Sequence, residues 1–214
     1  MNLEKFENLE KEKKERILES AMSEFNIHGY GGASTNNIVK NAEISKGSLF
    51  NYFENKDKLF MYIFNYNINK VAKNFEENKD KLIKLNLIEG YKFFISVNIK
   101  FFTENPRVFQ FLAKAMTNSP EPIKILLQKK KREMQGFVIN SIIKNVEDSY
   151  FRENVDKEKV EFLILTLLDT LSNKYIEKYK GDLELLKADN ENRDKEIEAY
   201  IDLIKFGILR SDVK

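Results

Sequence analysis

Apolar residues recur along this chain three and four positions apart, and no stretch shows the strict alternation of a half-buried strand. That spacing puts them on one face of a helical turn, so the chain reads as a succession of amphipathic helices. The pattern predicts helices near 11–28, 35–42, 45–52, 56–78, 81–104, 106–117, 121–147, 156–180 and 192–210. Glycine and proline supply the punctuation. Four of the eight glycines, Gly29, Gly31, Gly32 and Gly47, fall in the first 47 residues, and all three prolines, Pro106, Pro120 and Pro122, lie in one central window. Pro106 and Pro122 sit near helix starts, where a missing N–H does little harm.

Residues 34–60, STNNIVKNAEISKGSLFNYFENKDKLF, are the densest local signal. Two short helices and a tight turn near Glu43 and Ile44 lead into a third helix. Ser34 or Thr35 is placed to cap the first by accepting an orphaned backbone N–H, and Ile38, Val39 and Ala42 give it an apolar side. Ser45 is placed to cap the second. Its first turn, Lys46, Gly47 and Ser48, is small and polar, whereas Leu49 and Phe53 follow as anchors. Such a helix can be held by those anchors while its slim start enters a DNA major groove about 12 Å wide.

This stretch resembles the helix-turn-helix of the TetR family of bacterial transcriptional regulators. Ser34 and Thr35 stand for a threonine pair, Ala42 to Ser45 for the turn, Lys46 to Phe53 for the recognition helix, and Lys56 to Leu59 for the start of the next. The first helix, roughly Lys11 to Ile27, fits as well. The resemblance implies an all-α fold with an amino-terminal three-helix DNA-binding domain over 1–55 and a larger helical effector-binding and dimerisation domain over 56–214. It also implies DNA contacts from Thr35, Asn36, Ser45, Lys46, Gly47, Ser48, Phe50, Asn51, Tyr52 and Lys56. Two residues depart from the family pattern. Glu43 stands where glycine is usual, at a position of positive φ that costs a side chain about 1 kcal/mol. Phe50 replaces a tyrosine, which removes a hydroxyl contact to phosphate and leaves an apolar surface for a thymine methyl.

Composition narrows the rest. With 42% hydrophobic and 33% charged residues the chain has an ordinary soluble balance, and no apolar run approaches the roughly 18 residues of a membrane span. The charged start, MNLEKFENLEKEKKER, is unlike a secretory signal, so a cytoplasmic protein is expected. The net charge of +2 does not by itself point to DNA. Residues 1–60 carry nine Lys and Arg against ten Asp and Glu, yet Lys40, Lys46, Lys56 and Lys58 lie in or beside the reading unit. The Lys and Glu runs at Glu10 to Arg16 and Lys129 to Arg132 read as exposed helix faces.

No cysteine and a single histidine leave no thiol nucleophile and no Cys/His metal site. Gly29 to Ser34 approaches a dinucleotide-binding glycine pattern but follows a helix rather than a strand. His28, at the end of the first long helix, suits the negative end of its dipole. No enzyme activity, metal or cofactor is expected.

Two features of the second part bear on function. Val160, Leu163, Ile164, Leu167, Leu168 and Leu171 form one stripe, and Ile197, Tyr200, Ile201, Ile204 and Ile208 another. Both suit intramolecular core, but the resemblance implies that these last two helices pair with the same pair of a second subunit. A homodimer would present two reading heads about 34 to 36 Å apart to double-stranded operator DNA. Between head and stripes lie Tyr91, Phe94, Asn98, Phe101, Phe102, Phe109, Met116, Met134 and Phe137, which are either core or the lining of a pocket for a small, hydrophobic effector. The function implied is a ligand-responsive repressor released by that effector. A helical small-molecule carrier that does not bind DNA is the alternative, and exposure of Lys46, Ser48 and Asn51 discriminates the two.

Overall fold

The computed structural model describes residues 2–82, 84–85, 87–143, 151, 153 and 155–206; within these, the side chains of 87, 88, 91, 141–143 and 205 are not described. Among the described residues every regular element is helical, in the order α1 (Leu3–Glu7), α2 (Lys11–Gly32), α3 (Thr35–Asn41), α4 (Lys46–Phe53), α5 (Lys56–Leu82), α6 (Leu87–Glu104), α7 (Pro106–Asn118), α8 (Glu121–Ile143), α9 (Lys157–Tyr179), α10 (Leu183–Ala188) and α11 (Asn190–Phe206). The all-α expectation holds. Residues 1–181 form one unit and 182–214 a second. No helix is long and apolar enough to cross a membrane among the described residues.

The elements differ from the periodicity in several places. The helix expected over 81–104 is two pieces, because α5 runs on to Leu82, which is buried, and α6 starts at Leu87. α2 continues past His28 to Gly32 through a break at Gly29, whose φ of 66° and ψ of 178° favour glycine over any L side chain. Two short helices, α1 and α10, carry too few residues for a periodic signal. α1 nevertheless has a cap, Asn2, which accepts the Lys5 N–H at 3.2 Å, and one wholly buried residue, Phe6.

Phe6 explains why α1 docks. Its ring lies 4.7 Å from Phe53, 5.2 Å from Tyr62 and 5.7 Å from Tyr52, closing an aromatic cluster behind α4 and α5. Rings at these tilted and edge-on geometries add to what burial alone contributes. A second set joins the head to the rest: Phe25 of α2 packs at 4.9 Å on Phe60 of α5, and Phe60 at 5.4 Å on Phe111 of α7. One core therefore runs from Phe6 and Ile17 through Phe60 to Leu112, Met116 and Leu127.

In the second unit, α10 is capped by Asp182, which accepts the Leu185 N–H at 3.0 Å. Arg193 is buried and donates to the Leu186 carbonyl at 3.0 Å, tying α11 to α10.

Candidate nucleic-acid interface and effector domain

The reading unit is set by short-range hydrogen bonds. Ser45 caps α4 as expected: its hydroxyl accepts the Ser48 N–H at 3.0 Å and lies 2.8 Å from the Ser48 hydroxyl. Ser34 occupies the capping position of α3 but its side chain makes no capping bond. Its backbone N–H instead donates to the Glu24 carboxylate at 2.9 Å, and the Asn37 amide donates to the same oxygen at 3.2 Å. Glu24 is buried, so α2 holds the start of α3 through a charge-assisted acceptor. No sequence pattern marks this bridge, because a glutamate inside a helix looks like any solvated acid. His28 reaches the same carboxylate at 3.9 Å, a more specific contact than a helix dipole.

Glu43 does adopt positive φ, 53°. The turn is secured by the Ile44 N–H to the Val39 carbonyl at 3.0 Å and by Arg16, whose Nε donates to the Ala42 carbonyl at 3.0 Å. Arg16, expected on an exposed charge run, is half-buried because it closes this turn.

Among the residues expected at DNA, Asn36, Ser45, Lys46, Gly47 and Asn51 are exposed, whereas Thr35, Ser48, Phe50 and Lys56 are half-buried. Leu49 and Phe53 are buried and anchor α4 from behind. Tyr52 is buried against Phe6. Lys56 donates to the carbonyls of Gly31 and Ala33 at 3.3 and 3.4 Å and sits 5.0 Å over the Tyr30 ring, so its amine braces the end of α2. Tyr30 in turn hydrogen-bonds Asp57, and burial together with that carboxylate pushes its phenol up to about 12. Lys46 lies 5.9 Å over Phe50. A Cβ on Gly47 would meet only the Ser45 hydroxyl, at 3.8 Å, so nothing inside the chain requires glycine there. Glycine within a helix costs about 1 kcal/mol relative to alanine, and its benefit falls on whatever approaches from outside.

The aromatic residues assigned to a pocket fall into two groups. Phe101 meets Phe102 edge-on at 5.5 Å and Phe102 meets Phe109 at a tilt at 5.4 Å, and Phe101, Phe102, Met116 and Met134 pack into the core shared with the head. Phe94 and Phe137 instead flank Phe75, a residue the periodicity did not single out, at 6.3 and 6.1 Å. Phe137 is half open, 53% exposed. Asn98 donates to its own helix, at the Phe94 carbonyl, 2.8 Å away. The side chain of Tyr91 lies outside the described residues.

One residue of the Lys129 to Arg132 run is not on an exposed face. Lys131 is buried, because it shares an inner line of α8 with Leu127 and Ile139. It pairs with Asp169 of α9 at 2.9 Å and donates to Asn173. Burial pulls the Lys131 amine below its ordinary range. Burial alone would raise Asp169, but Lys131 and Arg132 outweigh it and hold the carboxyl below its usual value.

The stripe on α9 divides. Ile164, Leu168 and Leu171 are buried within the chain, Val160 and Leu167 are half-buried, and Leu163 is 53% exposed beside Phe162 at 72%. On α11, Ile197 and Ile201 are buried and Tyr200 is half-buried, while Ile204 is exposed together with Leu203 and Phe206. Ile208 lies outside the described residues. Among the described residues no three His, Cys, Asp or Glu side chains gather as a metal site.

Comparison with known proteins agrees with this geometry. Residues 17–63 match the family described as bacterial regulatory proteins, tetR family, and residues 86–209 match the tetracyclin repressor-like C-terminal domain. The chain is 25% identical over 161 residues to the biofilm operon negative transcriptional regulator IcaR of Staphylococcus epidermidis, covering 73% of this chain and 80% of that protein. A transcriptional regulator from Aquifex aeolicus superposes with a TM-score of 0.55 at 26% identity, over 90% of this chain and 99% of that one. The regulator FadR of Bacillus subtilis, solved with stearoyl-CoA, superposes with a TM-score of 0.60 at 15% identity, over 84% and 95%.

Proposed function

The chain belongs to the tetR family of bacterial regulatory proteins, and on that premise we propose that it is a cytoplasmic repressor that binds a two-fold operator as a homodimer and leaves it when an apolar effector binds. The observation that carries the DNA-binding part is the state of α4: a capped, slim, exposed start at Ser45, Lys46 and Gly47, with Leu49 and Phe53 buried behind it. Of the three side chains that discriminate a DNA reader from a carrier, Lys46 and Asn51 are exposed and Ser48 is half-buried against Ser45, which favours the reader on two of the three. Thr35, Asn36 and Phe50 flank the entering turn, and Lys46 supplies charge to phosphate. We place the domain boundary between Asn55 and Lys56, where α5 begins.

The effector reading rests on the aromatic residues of α5 to α8 and on the acyl-CoA complex of a protein of the same fold. A path for its signal is available where α7 meets α2. Lys114 donates to the Asn26 carbonyl at 2.6 Å, and the Asn26 amide donates to the Arg107 carbonyl at 3.1 Å. Asn26 lies two residues from Glu24, which holds α3. A shift of α7 against α2 would thus reach the reading unit directly, alongside movement of α5. The effector acts only through its differential affinity for the two states, typically 1 to 3 kcal/mol of coupling. For dimerisation, the exposed apolar side chains Phe162 and Leu163 on α9 offer one contact and, within the second unit, Leu203 and Ile204 on α11 offer another.

Footprinting on the DNA upstream of the protein's own gene tests the reading. Two protected blocks related by two-fold symmetry, on one face of the duplex, are expected. A single protected block would contradict a dimeric reader.

A further inference from the structure

Leu127, Lys131, Gln135 and Ile139 follow one another at single-turn spacing along α8, and all four are buried. Two of the four positions on this inner line are polar. The facing helix answers Lys131 and its neighbours Arg132 and Asn140 in order. Lys131 pairs with Asp169 and Asn173, Arg132 donates to Asp169 at 3.0 Å, and Asn140 donates to Glu161 at 2.6 Å. Numbers rise on α8 as they fall on α9, so the two helices run antiparallel and the pairs are rungs of one polar ladder. Gln135 lies between those rungs, 6% exposed, and its Oε1 accepts no hydrogen bond among the described residues. A buried acceptor left in that state costs more than an apolar side chain of the same size would. Lys131, one turn away, donates to Asn173 and stands in ion-pair contact with Asp169 at 2.9 Å, which leaves an N–H for a further acceptor.

We propose that the α8/α9 seam at Lys131 and Gln135 holds the polar head of the effector, and that this head is uncharged and both donates and accepts, as a hydroxyl or a carboxamide does. The assignment rests on the reading above of an apolar effector. Gln135 Oε1 takes the donor of the head, and the remaining N–H of Lys131 meets its acceptor. A carboxylate fits poorly. It brings no donor to Gln135 and would lie against the Asp169 carboxylate, while the second cation there, Arg132, is exposed to solvent and screened. Leu127 and Ile139, a turn beyond on either side, provide the apolar flanks for the attached chain.

The test uses the full-length protein and the neutral dye N-phenyl-1-naphthylamine as a fluorescent reporter of apolar binding, displaced by 1-decanol, decanamide or decanoate. Decanol and decanamide are expected to displace the dye at lower concentration than decanoate. Gln135→Leu should weaken those two by about fivefold or more while leaving decanoate little changed, as the loss of one buried hydrogen bond requires. The same variant should melt no lower than wild type, since it removes an orphaned acceptor; a purely structural glutamine would lower the melting temperature and leave displacement untouched. Gln135→Met repeats the comparison with an unbranched side chain. Equal displacement by all three compounds, or undiminished decanamide binding in both variants, overturns the head-group assignment while the apolar effector stands. If wild type neither brightens the dye nor responds to any of the three, the apolar-effector reading itself fails, and this assignment with it.

Discussion

Replacing Glu24 by alanine removes the carboxylate that ties α2 to the start of α3. The carboxylate is 5% exposed and takes the Ser34 N–H at 2.9 Å and the Asn37 amide at 3.2 Å. Asn37 is exposed, so water replaces its bond at little cost. Ser34 is half-buried, and among the described residues its N–H donates only to Glu24. A hydrogen bond to a charged acceptor contributes about 1.5 to 3 kcal/mol, so Glu24→Ala should lose about 2 to 3 kcal/mol, nearly all from Ser34. His28, half exposed and 3.9 Å away, adds little. Glu24→Gln keeps an oxygen for Ser34 and forfeits the charge, so it should lose only about 1 kcal/mol. Urea unfolding followed by circular dichroism reads both: with a slope of about 2 to 3 kcal/mol per molar, the alanine midpoint falls by about 1 M. A fall below about 0.3 M would refute the bridge, and a glutamine variant as unstable as alanine would refute the assignment of the loss to the acceptor.

Three other substitutions probe the head and its supports. Phe6→Ala should lower stability by about 3 kcal/mol, the low end for a buried phenylalanine because a five-residue helix with this one buried side chain can detach; a loss under about 1 kcal/mol in urea unfolding would mean that α1 is not docked. Lys56→Ala should destabilise by about 1 kcal/mol through the Gly31 and Ala33 carbonyls while changing the salt slope of operator binding little; a slope lower by about 0.9 would make it first a phosphate contact. Glu7 is held below its ordinary value of 4.5, chiefly by its hydrogen bond to Lys14 and then by Tyr62. Its contribution is therefore present above pH 4.5 and lost as pH falls through the depressed folded value, so Glu7→Gln should flatten the acid limb of stability against pH; profiles parallel to wild type would refute this.

What the sequence made legible was local. The Ser45 cap, the positive φ at Glu43 and the anchors Leu49 and Phe53 each depend on residues within one turn, and each lies where the pattern puts it. What it hid depends on packing between distant segments. Phe6 is buried only because Phe53 and Tyr62 meet over it, some fifty residues away. Glu24 reads as a surface acid until Ser34 folds back on it. Lys131 sits in a run of four basic residues, and only its register with Leu127 and Ile139 separates it from its exposed neighbours. Periodicity marks the α9 stripe but not its division, since Ile164 and Leu168 turn into the chain while Phe162 and Leu163 do not.

The most direct measurement is a salt titration of binding to the upstream DNA and to a scrambled duplex, for wild type and Lys46→Ala. Tighter binding to the upstream sequence is expected across the salt range, weakened in the variant, with a slope shallower by about 0.9 for each phosphate that Lys46 neutralises. Equal, weak binding to both duplexes, unchanged by Lys46→Ala, would contradict this.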